Sequence, residues 1–152
     1  MKRTALMNHE DIWNAVIEEI CKYDFPTENK TTNEAFLVFQ YYSELESGGH
    51  EMLFTWFSDY INEVGINYYK KELILILEKI GAHDYAVNVN KYMEQLWQLY
   101  VALEHDETIE NDFYRMIERA DDSYYELNGK LEHLLERYFV TIHTDLIEVI
   151  ED

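Results

Sequence analysis

The stretch KKELILILEKIG, residues 70–81, decides between an all-helical fold and a fold that contains a β-strand. Its aliphatic run, Leu73 to Leu77, is compatible with a buried strand on its β-branched content alone. However, Lys and Glu residues on both sides of the run favour a helix, Gly81 follows as a helix-ending glycine, and an isolated strand has no pairing partner elsewhere in this chain. We therefore predict a helix over residues 68–80.

Apolar residues recur at helical spacing on both sides of this segment, and only one proline and five glycines interrupt the chain. The sequence thus predicts an all-α fold: a compact single domain over residues 1–152, built as a bundle of about seven helices. From Thr144 the tail either extends the last helix or folds back. The other six predicted helices span residues 10–23, 32–47, 50–64, 83–104, 108–120 and 123–142.

The apolar stripes also predict the core, the helix caps and the turns. Thr32 and Ser123 are predicted to cap helices, Ser123 within a capping box. Gly48 or Gly49, and Gly81, are expected to have positive φ. Predicted core residues are Trp56, Phe57, Leu73, Ile76, Ile80, Val89, Leu96, Phe113, Leu131 and Leu134.

Charge and composition exclude several classes of protein. The 152 residues contain 31 Asp and Glu against 12 Lys and Arg, a net charge of −19, so nucleic acid and anionic membranes are not expected as ligands. Aromatic residues make up 15% of the chain, which excludes disorder as the main state. A single cysteine, Cys21, fits a reducing compartment, and Glu10 and Asp11 interrupt any secretory h-region. We therefore expect a cytoplasmic protein.

Motifs for catalysis, cofactors or metals are missing from the sequence. It contains no phosphate-binding loop, no dinucleotide fingerprint and no nucleophile elbow. No histidine is preceded by Glu three residues earlier, as a di-iron bundle requires, and no H-E-x-x-H occurs. We therefore expect no enzymatic activity, no cofactor and no metal. His50 is the residue around which an enzymatic or metal site remains an alternative, although a solvent-exposed histidine at a helix start is the simpler interpretation.

Acidic residues are concentrated in two windows that contain no Lys or Arg, one between Lys30 and Lys70 and one between Lys91 and Arg115. Carboxylates three or four residues apart on a helix lie ~5–6 Å apart, a spacing of the same order as the charges along a nucleic acid strand. These windows are the predicted partner-binding surface, and a merely solvated face is the alternative. The first acidic set is Glu44, Glu46, Glu51, Asp59 and Glu63; the second acidic set is Glu104, Asp106, Glu107, Glu110 and Asp112.

Three motifs carry a resemblance to a known family. They are ELESGGHEMLF (residues 44–54), EKIGA (residues 78–82, with Ala86 after it) and DDSYYEL (residues 121–127). Together they resemble the bacterial DNA-mimic proteins and their uncharacterised all-helical relatives. The similar region is expected over residues 32–146, with residues 1–31 as an added helix and linker. His50 stands where the family often has an aromatic residue.

The resemblance implies that an acidic surface imitates duplex DNA and occupies the DNA-binding face of a basic partner, such as a helix-turn-helix transcription regulator. The motifs are structural, so no individual carboxylate is identified by them as a matched functional residue. The alternative from a different class is an immunity-type acidic protein that neutralises a basic partner without imitating DNA.

Overall fold

The computed structural model describes residues 6–22 and 24–147, and no residue within these ranges lies in a β-strand. The prediction of an all-α domain is confirmed. The described helices are α1 (His9–Ile20), α2 (Lys30–Ser47), α3 (His50–Val64), α4 (Ile66–Lys79), α5 (His83–Leu103), α6 (Glu110–Tyr125) and α7 (Lys130–Leu146), with a 3₁₀ turn at Glu107–Ile109 between α5 and α6.

The aliphatic run that decided the fold is helical and lies within α4. Leu73, Ile76 and Leu77 are buried, whereas Leu75 is 60% exposed. Burial at positions i, i+3 and i+4 is the pattern of one helix face, because 3.6 residues complete a turn. The charged residues on both sides of the run and the glycine after it were therefore the correct signal.

Helix packing places α2 at the centre of the domain. It contacts α1, α3, α4 and α7, so its buried residues pack against four other helices. α4 and α5 form a helical hairpin across Gly81, whose φ of 85° is positive as predicted. α3 and α5 both pack against α6 or the segment leading to it. This arrangement brings the two acidic windows, which lie far apart in sequence, to neighbouring elements.

The predicted core is largely confirmed. Ile80 and Leu134 are only partly buried but pack against the core. Trp56 is a wrong prediction, because it is 56% exposed. The buried face of α3 is centred on Phe54, Phe57 and Ile61, and Trp56 is rotated about 100° away from Phe57 toward solvent. The confirmed buried positions are Phe57, Leu73, Ile76, Val89, Leu96, Phe113 and Leu131.

Both predicted helix caps are wrong. The side chain of Asn29 caps α2 by accepting the backbone N–H of Thr32 at 3.0 Å, so Thr32 lies inside the first turn. Ser123 lies within α6, and its hydroxyl is 3.1 Å from that of Tyr92. The break before α7 occurs instead at Asn128 and Gly129, whose φ values are 58° and 72°. An Asn-Gly pair is a strong turn signal, and here it outweighs the capping-box pattern.

The structure also bears on the predictions for the turn at Gly48 and Gly49 and for the chain from Thr144. Gly49 has the predicted positive φ, at 84°. From Thr144 the chain continues as α7 through Leu146, and residues 148–152 lie outside the described part of the chain. No described helix combines the length and the apolar content that crossing a membrane requires.

Candidate acidic interaction surface

The first acidic set is arranged around the turn between α2 and α3. Glu44 and Glu46 lie near the end of α2, and Glu51, Asp59 and Glu63 lie on α3. The turn at residues 48–49 connects the two helices directly, so these carboxylates are carried by regular helix on both sides. Glu46, Asp59 and Glu63 are exposed, whereas the other two are half-buried.

The second acidic set lies at the connection between α5 and α6, and all five of its residues are exposed. Asp106 caps the 3₁₀ turn, where its carboxylate accepts the backbone N–H of Thr108 at 2.9 Å and the Thr108 hydroxyl at 2.5 Å. These hydrogen bonds lower the pKa of Asp106, and the one from the Thr108 hydroxyl has the largest effect. The capped 3₁₀ turn thus favours the charged form of this carboxylate.

The two acidic sets meet at Tyr114. The hydroxyl of Tyr114, on α6, donates a hydrogen bond to Glu51 Oε1 at 3.2 Å, across to α3. The negative charge of Glu51 is the largest cause that raises the pKa of Tyr114, and Glu110 adds to it. One member of each acidic set therefore lies within electrostatic range of the same hydroxyl, and these two members belong to one continuous surface.

A second tyrosine orients a carboxylate at the end of α2. The hydroxyl of Tyr124 donates to Glu46 Oε1 at 2.9 Å, and the neighbouring Tyr125 donates to the backbone carbonyl of Leu45 at 3.0 Å. Burial, followed by the hydrogen bond with Glu46, raises the pKa of Tyr124. The last turn of α2 is thus attached to α6 by two consecutive tyrosines.

Tyrosine hydroxyls orient these carboxylates without cancelling their charge. A hydroxyl donates one hydrogen bond and carries no positive charge below its pKa, whereas Lys or Arg would neutralise the acid. Within residues 6–22 and 24–147, only one member of the two acidic sets has an ion pair, Asp112 with Arg115 at 3.9 Å. The surface is therefore partly ordered, and the other nine of its ten carboxylates have no ion pair among the described residues.

His50 does not occupy the exposed position expected for it. Its side chain is 2% exposed, and its Nδ1 lies 2.7 Å from Asp121 Oδ1. The expectation was wrong because α6 packs over the start of α3, which no local pattern indicates. In the part of the chain that the structure describes, no group of three or more His, Cys, Asp or Glu residues is arranged to hold a metal ion.

Sequence reasoning selected the acids but missed the residues that orient them. Tyr114 and Tyr124 are 63 and 78 positions away from their carboxylate partners in the sequence. The unusual number of tyrosines, thirteen, was the available signal, and it indicated packing and contact surface in general without identifying these pairs.

A known protein family matches most of the chain. The model of the DMP19-like protein family matches residues 27–143, a region that contains α2 to α6, most of α7 and both acidic sets. The chain belongs to the DMP19-like protein family. DMP19 stands for DNA mimic protein 19, so the resemblance found in the sequence motifs is confirmed. No curated protein and no solved structure matches the chain significantly.

Proposed function

We propose that this member of the DMP19-like family is a non-enzymatic protein that binds a basic, DNA-binding partner and occupies that partner's DNA-binding face. The residues that make the contact are drawn from the two acidic sets. A transcription regulator is the partner class that best fits such a surface, because its DNA-binding face carries the Lys and Arg residues that otherwise contact phosphates.

One observation carries the proposal beyond family membership. Glu51 accepts the hydroxyl of Tyr114 and Glu110 lies one helical turn before that tyrosine, and neither carboxylate, each from a window without Lys or Arg, is ion-paired among the described residues. Duplex DNA likewise presents ordered negative charges that are not neutralised by covalent neighbours. Carboxylates held on packed helices and on a capped 3₁₀ turn support imitation of such charges better than a flexible acidic tail does.

Competition with DNA tests the proposal. The partner is isolated with the tagged full-length chain, and its complex with its own duplex is then titrated with this protein while DNA binding is followed by fluorescence anisotropy. We expect the duplex to be displaced, and the association to weaken steeply as salt rises, since exposed charges are screened over about 8–10 Å at ordinary ionic strength. Simultaneous binding of DNA and this protein would contradict mimicry and favour the immunity-type alternative.

A charge-matched pair of variants separates the surface from net charge. One variant carries Glu51→Gln, Glu63→Gln and Glu110→Gln, and its control carries Glu18→Gln, Glu126→Gln and Glu132→Gln. The control sites are exposed and lie outside both acidic sets. The first variant should lose displacement of the duplex while the control retains it. Equal losses would mean that net charge alone drives binding.

A further inference from the structure

Aromatic side chains line a cavity beside the first acidic set. The cavity has a volume of about 410 Å³ and lies where the segment after α1 meets α2 and α3. Its aromatic lining consists of Phe25, Phe36, Trp56, Phe57 and Tyr60. Sequence periodicity assigned Trp56 to the core, but the structure places it at this cavity with 56% of its surface exposed.

The rings form an organised wall. Phe25 stacks on Phe36 with centroids 4.8 Å apart and an interplanar angle of 12°, and it meets Tyr60 edge-on at 4.7 Å. The hydroxyl of Tyr60 is fixed by donating to Glu72 Oε1 at 2.6 Å. Phe25 and Phe36 cover one face of each other, so the most exposed ring of the lining, Trp56, is the one that offers its surface to whatever enters the cavity.

The polar residues of the cavity add negative charge. Asp24 and Asp59 are exposed carboxylates in its lining, and none of the described lining residues is Lys or Arg. Aromatic faces attract cations, and adjacent carboxylates strengthen that preference. A planar guanidinium suits such a site better than an ammonium does, because it stacks on rings and also donates to carboxylates in a fixed geometry.

We propose that this cavity receives the guanidinium group of an arginine side chain from the basic partner. The ring of Trp56 would stack on the guanidinium plane, and Asp24 or Asp59 would accept its N–H groups. The inference rests on the proposed function, since the partner supplies the arginine, and Asp59 belongs to the first acidic set. It adds a specific anchor site to a surface that otherwise acts through distributed charge.

Cys21 provides a site-specific reporter of occupancy. It lines the cavity, is exposed and is the only cysteine in the chain. The experiment follows alkylation of Cys21 by iodoacetamide in the full-length protein with acetyl-Gly-Arg-Gly-amide added. The control peptide replaces arginine by citrulline, which has the same shape without the charge. We expect saturable slowing of alkylation by the arginine peptide only. Equal protection by citrulline, or by the corresponding lysine peptide, would overturn the assignment.

Matched variants test which groups form the site. Trp56→Ala should weaken binding of the arginine peptide about 2- to 30-fold, the range of cation–π contributions, and Asp59→Asn should weaken it as well, because it removes a charged acceptor for the guanidinium. Tyr68→Ala removes a similarly exposed aromatic from α4, and Glu18→Gln removes one exposed charge from α1 outside both acidic sets; both residues lie outside the cavity lining. If Trp56→Ala does not fold, Trp56→Leu replaces it. Losses in the controls equal to those in the cavity variants would contradict the proposal.

The two proposals fail separately. If the arginine peptide protects Cys21 but the partner keeps its DNA in the presence of this protein, the cavity assignment stands and mimicry is wrong. If the partner's DNA is displaced but the peptide leaves Cys21 unprotected, mimicry stands and the cavity assignment is wrong.

Discussion

Asp121 caps the start of α3 from another helix by bonding twice to His50. Its Oδ1 accepts the backbone N–H of His50 at 2.9 Å and lies 2.7 Å from His50 Nδ1. Gly48 and Gly49 precede this contact and have no side chain that could cap the helix. A carboxylate at a helix N-terminus satisfies a free N–H group and complements the helix dipole. This contact attaches α6 to α3, the two helices whose carboxylates meet at Tyr114.

Gly49→Ala should destabilise the protein more than Gly65→Ala does. Both glycines have positive φ, 84° and 90°, so alanine is strained at each by about 1–3 kcal/mol. A Cβ at Gly49 would also lie 2.5 Å from Asp121 Oδ2, whereas nothing lies within 4 Å of one at Gly65. We expect an extra loss of about 1 kcal/mol, the value of a lost cap, in urea unfolding. Equal losses would mean that Asp121 moves aside freely.

Asp121→Ala should lower the free energy of unfolding by about 1–3 kcal/mol, because it leaves the buried His50 ring and a helix N–H without their acceptor. Asp122→Ala is the control, since it removes the same charge from the adjacent, exposed position. Urea unfolding of the two variants at low ionic strength measures the difference. A loss as large in Asp122→Ala would trace the effect to net charge instead of to the cap.

The sequence specified most of the fold because its local signals agreed with its packing. The residues flanking the aliphatic run predicted α4, and Gly49 and Gly81 predicted the turns. The failures come from competition between local signals and tertiary contacts. Ser123 has the pattern of a helix cap, but the positive φ values of Asn128 and Gly129 place the break between α6 and α7 at those two residues. Trp56 follows the apolar spacing of α3, although no neighbouring helix covers it.

The candidate surface was predictable only at the level of residue type. The absence of Lys and Arg selected the acidic windows, since charge distribution is visible in one dimension. The pairing of Glu51 with Tyr114 and that of His50 with Asp121 depend on how α6 crosses α3. Such pairs are 63 and 71 residues apart, and a single sequence contains no periodicity that links positions at those distances.

Stability should fall as pH rises above 10. Burial raises the pKa of Tyr41 and of Tyr69 well above the ordinary 10.0, and both side chains are fully buried. Above pH 10 the unfolded chain loses these protons while the folded chain keeps them, so the stabilisation present below pH 10 is lost with rising pH. Each tyrosine contributes a slope of about 1.4 kcal/mol per pH unit. Urea unfolding between pH 8 and 11 measures it.

Two tyrosine variants separate the alkaline slope from stability at neutral pH. Tyr41 Oη has no hydrogen-bond partner among the described residues, so Tyr41→Phe should leave stability at pH 7 unchanged or higher and make the alkaline slope shallower. Tyr124→Phe removes the hydrogen bond to Glu46 and should cost about 1 kcal/mol at pH 7. An unchanged alkaline slope in Tyr41→Phe would show that this hydroxyl is not shielded from water.

The junction of the two acidic sets can be observed through the titration of Tyr114. Glu51 is the main cause that raises the pKa of this tyrosine, and Glu110 is a smaller one. Replacing a nearby negative charge with a neutral amide favours ionisation of the hydroxyl. Glu51→Gln should therefore lower the pKa of Tyr114 toward 10, and Glu110→Gln should lower it less. The measurement is the pH dependence of the Tyr114 ring carbon signal in NMR.

Glu107→Gln is the control for this titration, because it removes a charge from the same acidic set without contributing to the pKa of Tyr114. Glu110 lies one turn before Tyr114 on α6, so its effect requires only that α6 is helical. The effect of Glu51 requires in addition that α3 and α6 pack as described. A Tyr114 pKa that responds to Glu110→Gln but not to Glu51→Gln would therefore separate the two acidic sets in solution, and the continuous surface on which the proposed function depends would be lost.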